Sequence, residues 1–209
     1  MCSTEYITGK SSSSTFPELG FLMVDGVGVP ESPAFTDALQ ALYSVSYDAH
    51  FALKKAAGEA PRVMALEALW WVEGDDAQAT MQRFVAGETN MDESDRDHWH
   101  WRAMIMQLPP LDEVIVKQAI TEAKFKKELA ALDIVRFERL TEGPSAQIMH
   151  VGPYATEQVS LVTLHKAIAD HGSRPRGRHH EIYLGDPRTS APEKLHTILR
   201  QPIEPCHLT

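Results

Sequence analysis

An α+β fold of duplicated strand-helix-strand-strand modules, with pseudo-twofold symmetry and antiparallel sheets around a central ligand cleft, is what the sequence predicts. Three observations predict it. Apolar spacing alternates between a period near 3.6 and a period of two. Turn residues fall between the periodic stretches. The order strand with Gly-containing turn, helix, strand with a central Glu, final strand occurs twice.

The elements follow in order. Phe21-Leu22-Met23-Val24 reads as a strand entering the turn Asp25-Gly26-Val27-Gly28. Phe35, Leu39, Leu42, Tyr43, Val45, Phe51 and Leu53 then recur at helical spacing over 32–55, behind the start signal Glu31-Ser32-Pro33. Residues 63–72 and 98–108 suit antiparallel strands, joined by an acidic connection in which 76–85 is expected to form a short helix. Pro109-Pro110 halts the second strand, and 112–131 reads as a helix with Val114, Ile115, Ala119, Ile120 and Ala123 along one side. Lys124, Lys126 and Lys127 mark its wet face.

In the second half, 134–140 and 146–150 read as a hairpin around Glu142-Gly143-Pro144. Val151-Gly152-Pro153-Tyr154 turns the chain into a helix over 156–171, and 172–177 is a break. Strands over 179–184 and 195–203 complete the repeat. The expected organisation is a disordered tail over 1–15 and one domain over 16–205, with repeats at about 16–130 and 131–205.

Composition narrows the function. The 209 residues carry 29 acidic and 20 basic side chains, a formal charge of -9, which argues against a phosphate-tracking surface and hence against direct nucleic-acid binding. No apolar run approaches the roughly 20 residues of a membrane span, and the Ser11–Ser14 tract is not a signal core. Cys2 and Cys206 have neither redox nor metal-ligand spacing, so a cytoplasmic protein is expected. Nucleotide loops, dinucleotide fingerprints and a serine-hydrolase elbow are missing, and no cofactor is expected. His98/His100 and His179/Glu181 have same-face spacing that suits a divalent metal. No third ligand motif accompanies them, so no metal site is assigned.

The chemistry concentrates in two places. Period two places His179, Glu181 and Tyr183 on one face of their strand and His180, Ile182 and Leu184 on the other. All four tryptophans, Trp70, Trp71, Trp99 and Trp101, occupy two neighbouring strands beside Glu67. Indoles of this density suit stacking on a planar ligand, although each also suits an ordinary core. A carboxylate enclosed by such rings serves either as a general base or as an anchor for a cation. The repeat aligns Glu67 with Glu181, so the two carboxylates are expected to converge on one cleft.

Several stretches together resemble the GyrI-like small-molecule-binding domain family: Leu66-Glu67-Ala68-Leu69-Trp70-Trp71, Trp99-His100-Trp101-Arg102-Ala103-Met104-Ile105-Met106-Gln107, Gln147-Ile148-Met149-His150-Val151-Gly152-Pro153-Tyr154 and the run from His179 through Arg188. The likeness covers nearly the whole chain and looks nearest to the stand-alone branch that hydrolyses cyclopropanoid genotoxins; Gly185 is a minor departure. It implies the duplicated fold, a buried glutamate matching Glu181, and planar DNA-alkylating substrates whose cyclopropane is opened by water. No helix-turn-helix segment stands in front, so the regulator version of the family is not expected. On this likeness Glu181 is the base, Tyr183 the donor and Glu67 an alternative base. Ligand contacts are assigned to Trp71, Trp101, Tyr43, Met104, His179 and Trp70. The expected partners are planar aromatic or cationic small molecules, with the chain as monomer or homodimer. The alternative is a sequestering module that binds without turnover.

Overall fold

Local sequence signals account for where each element starts and stops. The computed structural model of the chain describes residues 4–8, 11–74 and 98–206; the short helix expected over 76–85 lies outside them. The described elements are β1 (Thr4–Thr8), β2 (Ser11–Val27), α1 (Pro33–Ala57), β3 (Leu66–Trp71), β4 (His100–Met106), α2 (Glu113–Lys126), β5 (Arg136–Val151), α3 (Glu157–Asp170), β6 (Ser173–Pro175), β7 (His179–Tyr183) and β8 (His196–Pro205). Helices and antiparallel strand pairs make this a mixed α and β fold. Among the described residues no helix is long and apolar enough to cross a membrane.

The chain divides into two units, and β2, β3 and β5 each contribute residues to both. The first comprises Met1–Glu18, Leu69–Arg96 and Thr141–Thr209, the second Leu19–Ala68 and Asp97–Leu140.

In the second unit, β2 and β4 pair in a register that sets Asp25 opposite Arg102 and Gly26 opposite Trp101. The Arg102 guanidinium donates to both Asp25 oxygens at 2.7 and 2.9 Å, and Arg136 adds a third bond at 2.8 Å. Helix α1 begins where Ser32 Oγ accepts from Phe35 N at 3.2 Å, with Pro33 preset for the first turn. It ends where Gly58 takes φ of 83°, a left-handed cap that a side chain resists. Phe35, Ala38, Ala41, Leu42, Val45 and Ala49 form its buried stripe at helical spacing. Asp112 caps α2 by accepting from Ile115 N at 2.9 Å. The buried side of α2 is Val116, Ala119 and Ala123, one step round from the stripe expected, and Val114 lies exposed. The helix also stops at Lys126 instead of continuing to 131, because Lys127 turns extended and its ammonium donates to Ser44 Oγ at 2.7 Å.

In the first unit, β8 is the central strand. It pairs with β5, β6 and β7, and its register with β7 sets Arg200 opposite His180, Leu199 opposite Glu181 and Thr197 opposite Tyr183. Helix α3 lays Leu161, Leu164 and Ile168 on Ala146, Ile148, Leu199 and Ile203. Burying each large aliphatic side chain of this cluster contributes about 1.5–3 kcal/mol.

Two strand readings change. The strand expected to start at Phe21 starts at Ser11, because β1 supplies backbone partners from Ser11 to Ser14 that no residue pattern announces. The hairpin expected around Glu142-Gly143-Pro144 is one uninterrupted strand, β5. Gly143 has φ of 68°, and the sequence reading takes the stretch for a reversal; instead the strand continues through it, with Ser145 to Val151 paired to β8.

Candidate active site

The site of the first unit is built on β7. Its alternation sends Glu181 and Tyr183 to one face, where the Tyr183 phenol donates to Glu181 Oε2 at 2.7 Å. His179 shares that face, with Nε2 3.5 Å from Glu181 Oε1 and only 5% of its surface exposed. From β3, the Trp70 indole N–H donates to the Tyr183 oxygen at 3.1 Å. An indole, a phenol and a carboxylate thus form one directed chain, Trp70 to Tyr183 to Glu181, ending on a negative charge.

The opposite face of β7 is held by charge. His180, fully buried, lies with Nδ1 2.8 Å from Glu142 Oε1, and Arg200 Nη1 donates to Glu142 Oε2 at 2.7 Å. Arg200 further donates to Gln147 and lies 3.6 Å over the Phe16 ring. Burial pushes the Glu142 carboxyl up, but the hydrogen bond and charge of His180 and the Arg200 guanidinium outweigh it, leaving the group below its ordinary value. This network fixes β7 from behind, so that Glu181 and Tyr183 stand on a braced strand.

Three further groups complete the site, none of them anticipated from the sequence. Glu157, in the first turn of α3, is buried, and burial together with the Glu181 charge pushes its carboxyl up to about 8 against a downward pull from Thr197. Tyr154 stands edge-on to Tyr183 with ring centroids 5.9 Å apart. Burial, then the charges of Glu157, Glu181 and Asp186, push its phenol up to about 12. His165 is pushed down to about 4 by burial and by His179, which leaves it a neutral imidazole at physiological pH. The Tyr183 phenol is held well above its usual value by burial and by the charge and hydrogen bond of Glu181, with Trp70 pulling the other way. Tyr183 therefore stays protonated and acts as a hydrogen-bond donor.

The remaining expected site residues are distributed as follows. Trp71 lies half-buried beneath the Arg178 guanidinium, 3.5 Å from the ring centroid. In the second unit Glu67 and Met104 are buried, and Trp101, 1% exposed, packs edge-on against Phe35 at 5.0 Å. Tyr43 lines an open groove of about 680 Å³ on α1, in a ladder of rings with Tyr47 and Phe51. Of the expected site residues, hydrogen bonds join Trp70, Tyr183 and Glu181, and His179 lies 3.5 Å from the Glu181 carboxyl. Among the described residues no three His, Cys, Asp or Glu side chains are placed to hold one metal ion.

A carboxylate tied to a phenol and an indole, with a second acid and a second tyrosine ring alongside, is a polar and aromatic cluster of the kind that takes small organic molecules. The comparisons agree in class: the chain belongs to the GyrI-like small molecule binding domain family, whose model matches residues 12–204. Among solved structures it is similar to an uncharacterized conserved protein from Listeria innocua, at 33% identity, TM-score 0.78, and coverage of 93% of this chain and 92% of that one. A protein from Listeria innocua described as a hydrolase is similar at 31% identity and TM-score 0.72, again covering 93% and 92%. The EcmrR C-terminal domain shares the fold alone, at 11% identity and TM-score 0.51 over 94% of this chain and 98% of that one. No curated protein matches the chain.

Proposed function

We propose that this protein is a hydrolase that detoxifies planar cyclopropanoid DNA-alkylating compounds by adding water across a strained cyclopropane. The observation that carries the reading is the Trp70–Tyr183–Glu181 hydrogen-bond chain, which presents a carboxylate and a phenol side by side on one strand face. Glu181 orients a water and takes its proton as the oxygen attacks a cyclopropane carbon. The C–C bond breaks and its electron pair flows into the conjugated dienone, whose oxygen becomes a phenolate. Tyr183, rotating its hydrogen from Glu181 to that oxygen, stabilises the developing charge. Trp70, Trp71 and Tyr154 flank the planar body. The description of a 31% identical neighbour as a hydrolase supports turnover.

The wider assignment belongs to the same proposal: Trp101, Tyr43 and Met104 as ligand contacts, Glu67 as an alternative base, and two modules about a pseudo-twofold axis. An exposed free thiol at Cys206 supports a cytoplasmic setting. Incubation with a cyclopropylpyrroloindole followed by mass spectrometry should show the gain of one water, and Glu181→Gln should lower kcat by about 10²–10⁴-fold. Tight binding with substrate returned unchanged would sink the reading. It would leave the second one, a sequestering module, which the acidic pair Glu157/Glu181 beside tyrosine rings favours for cationic aromatic compounds. In that case Glu181→Gln lowers affinity for cations instead of rate.

A further inference from the structure

Resting on the reading of the Glu181 site as one for planar compounds, we propose that His150 is its positioning residue: by pinning the turn that carries Tyr154, it fixes an aromatic corner that selects flat ligands. His150 lies on β5, opposite Thr197 of β8 in the strand register, and is 5% exposed. Both ring nitrogens are engaged. Nε2 lies 3.2 Å from the Pro153 carbonyl oxygen and Nδ1 lies 3.0 Å from Ser160 Oγ. A carbonyl oxygen can only accept, so Nε2 carries the hydrogen and, in the neutral ring, Nδ1 accepts from the Ser160 hydroxyl. One rigid ring therefore ties the turn after β5 to the start of α3.

The tie acts on Tyr154 directly. The Pro153 oxygen and the Tyr154 nitrogen belong to one planar peptide unit, so holding the oxygen sets the plane from which the Tyr154 side chain departs. That oxygen takes two more donors, Thr156 Oγ1 at 2.8 Å and Thr156 N at 2.9 Å. Upstream, Gly152 takes φ of 138°, which favours glycine, and its N–H donates to the Leu195 oxygen at 3.0 Å. Among these anchors the His150 ring is the one that joins β5, the turn and α3. Tyr154 itself is 40% exposed, so its own packing restrains it only in part.

What this fixes is a corner. The Tyr154 ring stands at 82° to Tyr183 with centroids 5.9 Å apart, and the Tyr183 phenol donates to Glu181 at 2.7 Å. A flat ring system can lie along the face of one ring and meet the edge of the other, whereas a body thick in every direction cannot approach both. Moving the Pro153–Tyr154 peptide opens this corner and leaves the Tyr183–Glu181 bond as it is. His150 therefore acts on which ligand is held, and through Tyr154, while the groups that handle the proton stay in place.

The test uses the full chain. In the wild type, NOE cross-peaks between the Tyr154 and Tyr183 rings should report the corner. His150→Leu should lose them, and His150→Gln, whose amide can still donate to the Pro153 oxygen, should keep part. Ser160→Ala, which removes only the link to α3, should weaken them and carries the same test if His150→Leu does not fold. Cross-peaks of wild-type strength in the folded variants overturn the positioning. For ethidium, a planar cation with no cyclopropane to open, His150→Leu should raise Kd by about 3- to 10-fold, with the Kd of the non-planar tetrabutylammonium unchanged. With a cyclopropylpyrroloindole it should raise KM by a similar factor while kcat stays within about 2-fold. In a Tyr154→Leu background, removing His150 should change neither value further, because its effect runs through that ring. Losses that add in the double variant, an equal loss for both cations, or a fall in kcat with KM unchanged overturn the proposal. If the wild type opens no cyclopropane but the ethidium results hold, hydrolysis falls and the positioning stands. A wild type that binds none of these compounds overturns ligand selection together with the site.

Discussion

Replacing Glu142 by Gln tests how strongly the buried network braces the site strand. The substitution keeps shape and one carbonyl oxygen but removes the charge that meets Arg200 at 2.7 Å and His180 at 2.8 Å. Arg200 is only 10% exposed on its side chain, so its cation is stranded in the interior. Breaking a buried pair from one side costs about 3–5 kcal/mol, and the oxygen that remains places this case near about 3. For a chain of this size each kcal/mol moves Tm by about 2–4 °C, so a fall of about 6–12 °C is expected by circular dichroism. The loss should also depend on pH. The Glu142 carboxyl is lowered from its ordinary 4.5, so its contribution is complete above that value and disappears as pH falls through the lowered folded value. The gap between wild type and Glu142→Gln should therefore close in acid. Adding Arg200→Met should recover part of the loss by removing the stranded cation. A shift below about 2 °C at neutral pH, or a gap that widens in acid, would refute the reasoning.

Two other predictions follow from packing and from the hydrogen-bond chain. A Cβ at Gly26 would lie 2.1 Å from Trp101 Cζ2, and the Trp101 ring is 1% exposed and packs edge-on against Phe35, so Gly26→Ala should lower unfolding stability in urea by about 1–3 kcal/mol. Wild-type stability in that variant would mean that the Trp101 ring is free to move. Tyr183→Phe removes the donor to Glu181 and the acceptor of the Trp70 indole. It should lower kcat by about 10²–10³-fold while costing about 1 kcal/mol of stability, and full activity would show that Tyr183 is not the donor.

Most of the fold was legible because its signals are local. Ser32, Pro33 and Gly58 mark the ends of α1, and the alternation from His179 to Tyr183 gives the facing of β7. What escaped depends on partners distant in sequence. Gly143 looks like a reversal until β8 is present to pair with the residues after it. The role of β1 rests on backbone pairing that Ser and Thr side chains do not announce. In the site, Glu181 and Tyr183 stand out as polar residues at period two, and their mutual bond follows from that spacing. Glu157 left a signal that can be read: it stands four, seven and eleven residues before Leu161, Leu164 and Ile168, an acid in register with an apolar stripe. The default reading of an acid in a first helical turn as a favourable end charge hides that signal. The bracing by Glu142 and Arg200 left none, since 58 positions separate the two.

The bond from the Trp70 indole to the Tyr183 oxygen gives the protein an optical probe of the Tyr183–Glu181 pair. Indole emission responds to the polarity and hydrogen bonding around its N–H, and this N–H ends on the phenol that touches Glu181. With Trp71, Trp99 and Trp101 replaced by Phe, a single fluorophore would register each change of proton or ligand at the carboxylate. Occupancy could then be followed in real time on the unlabelled chain.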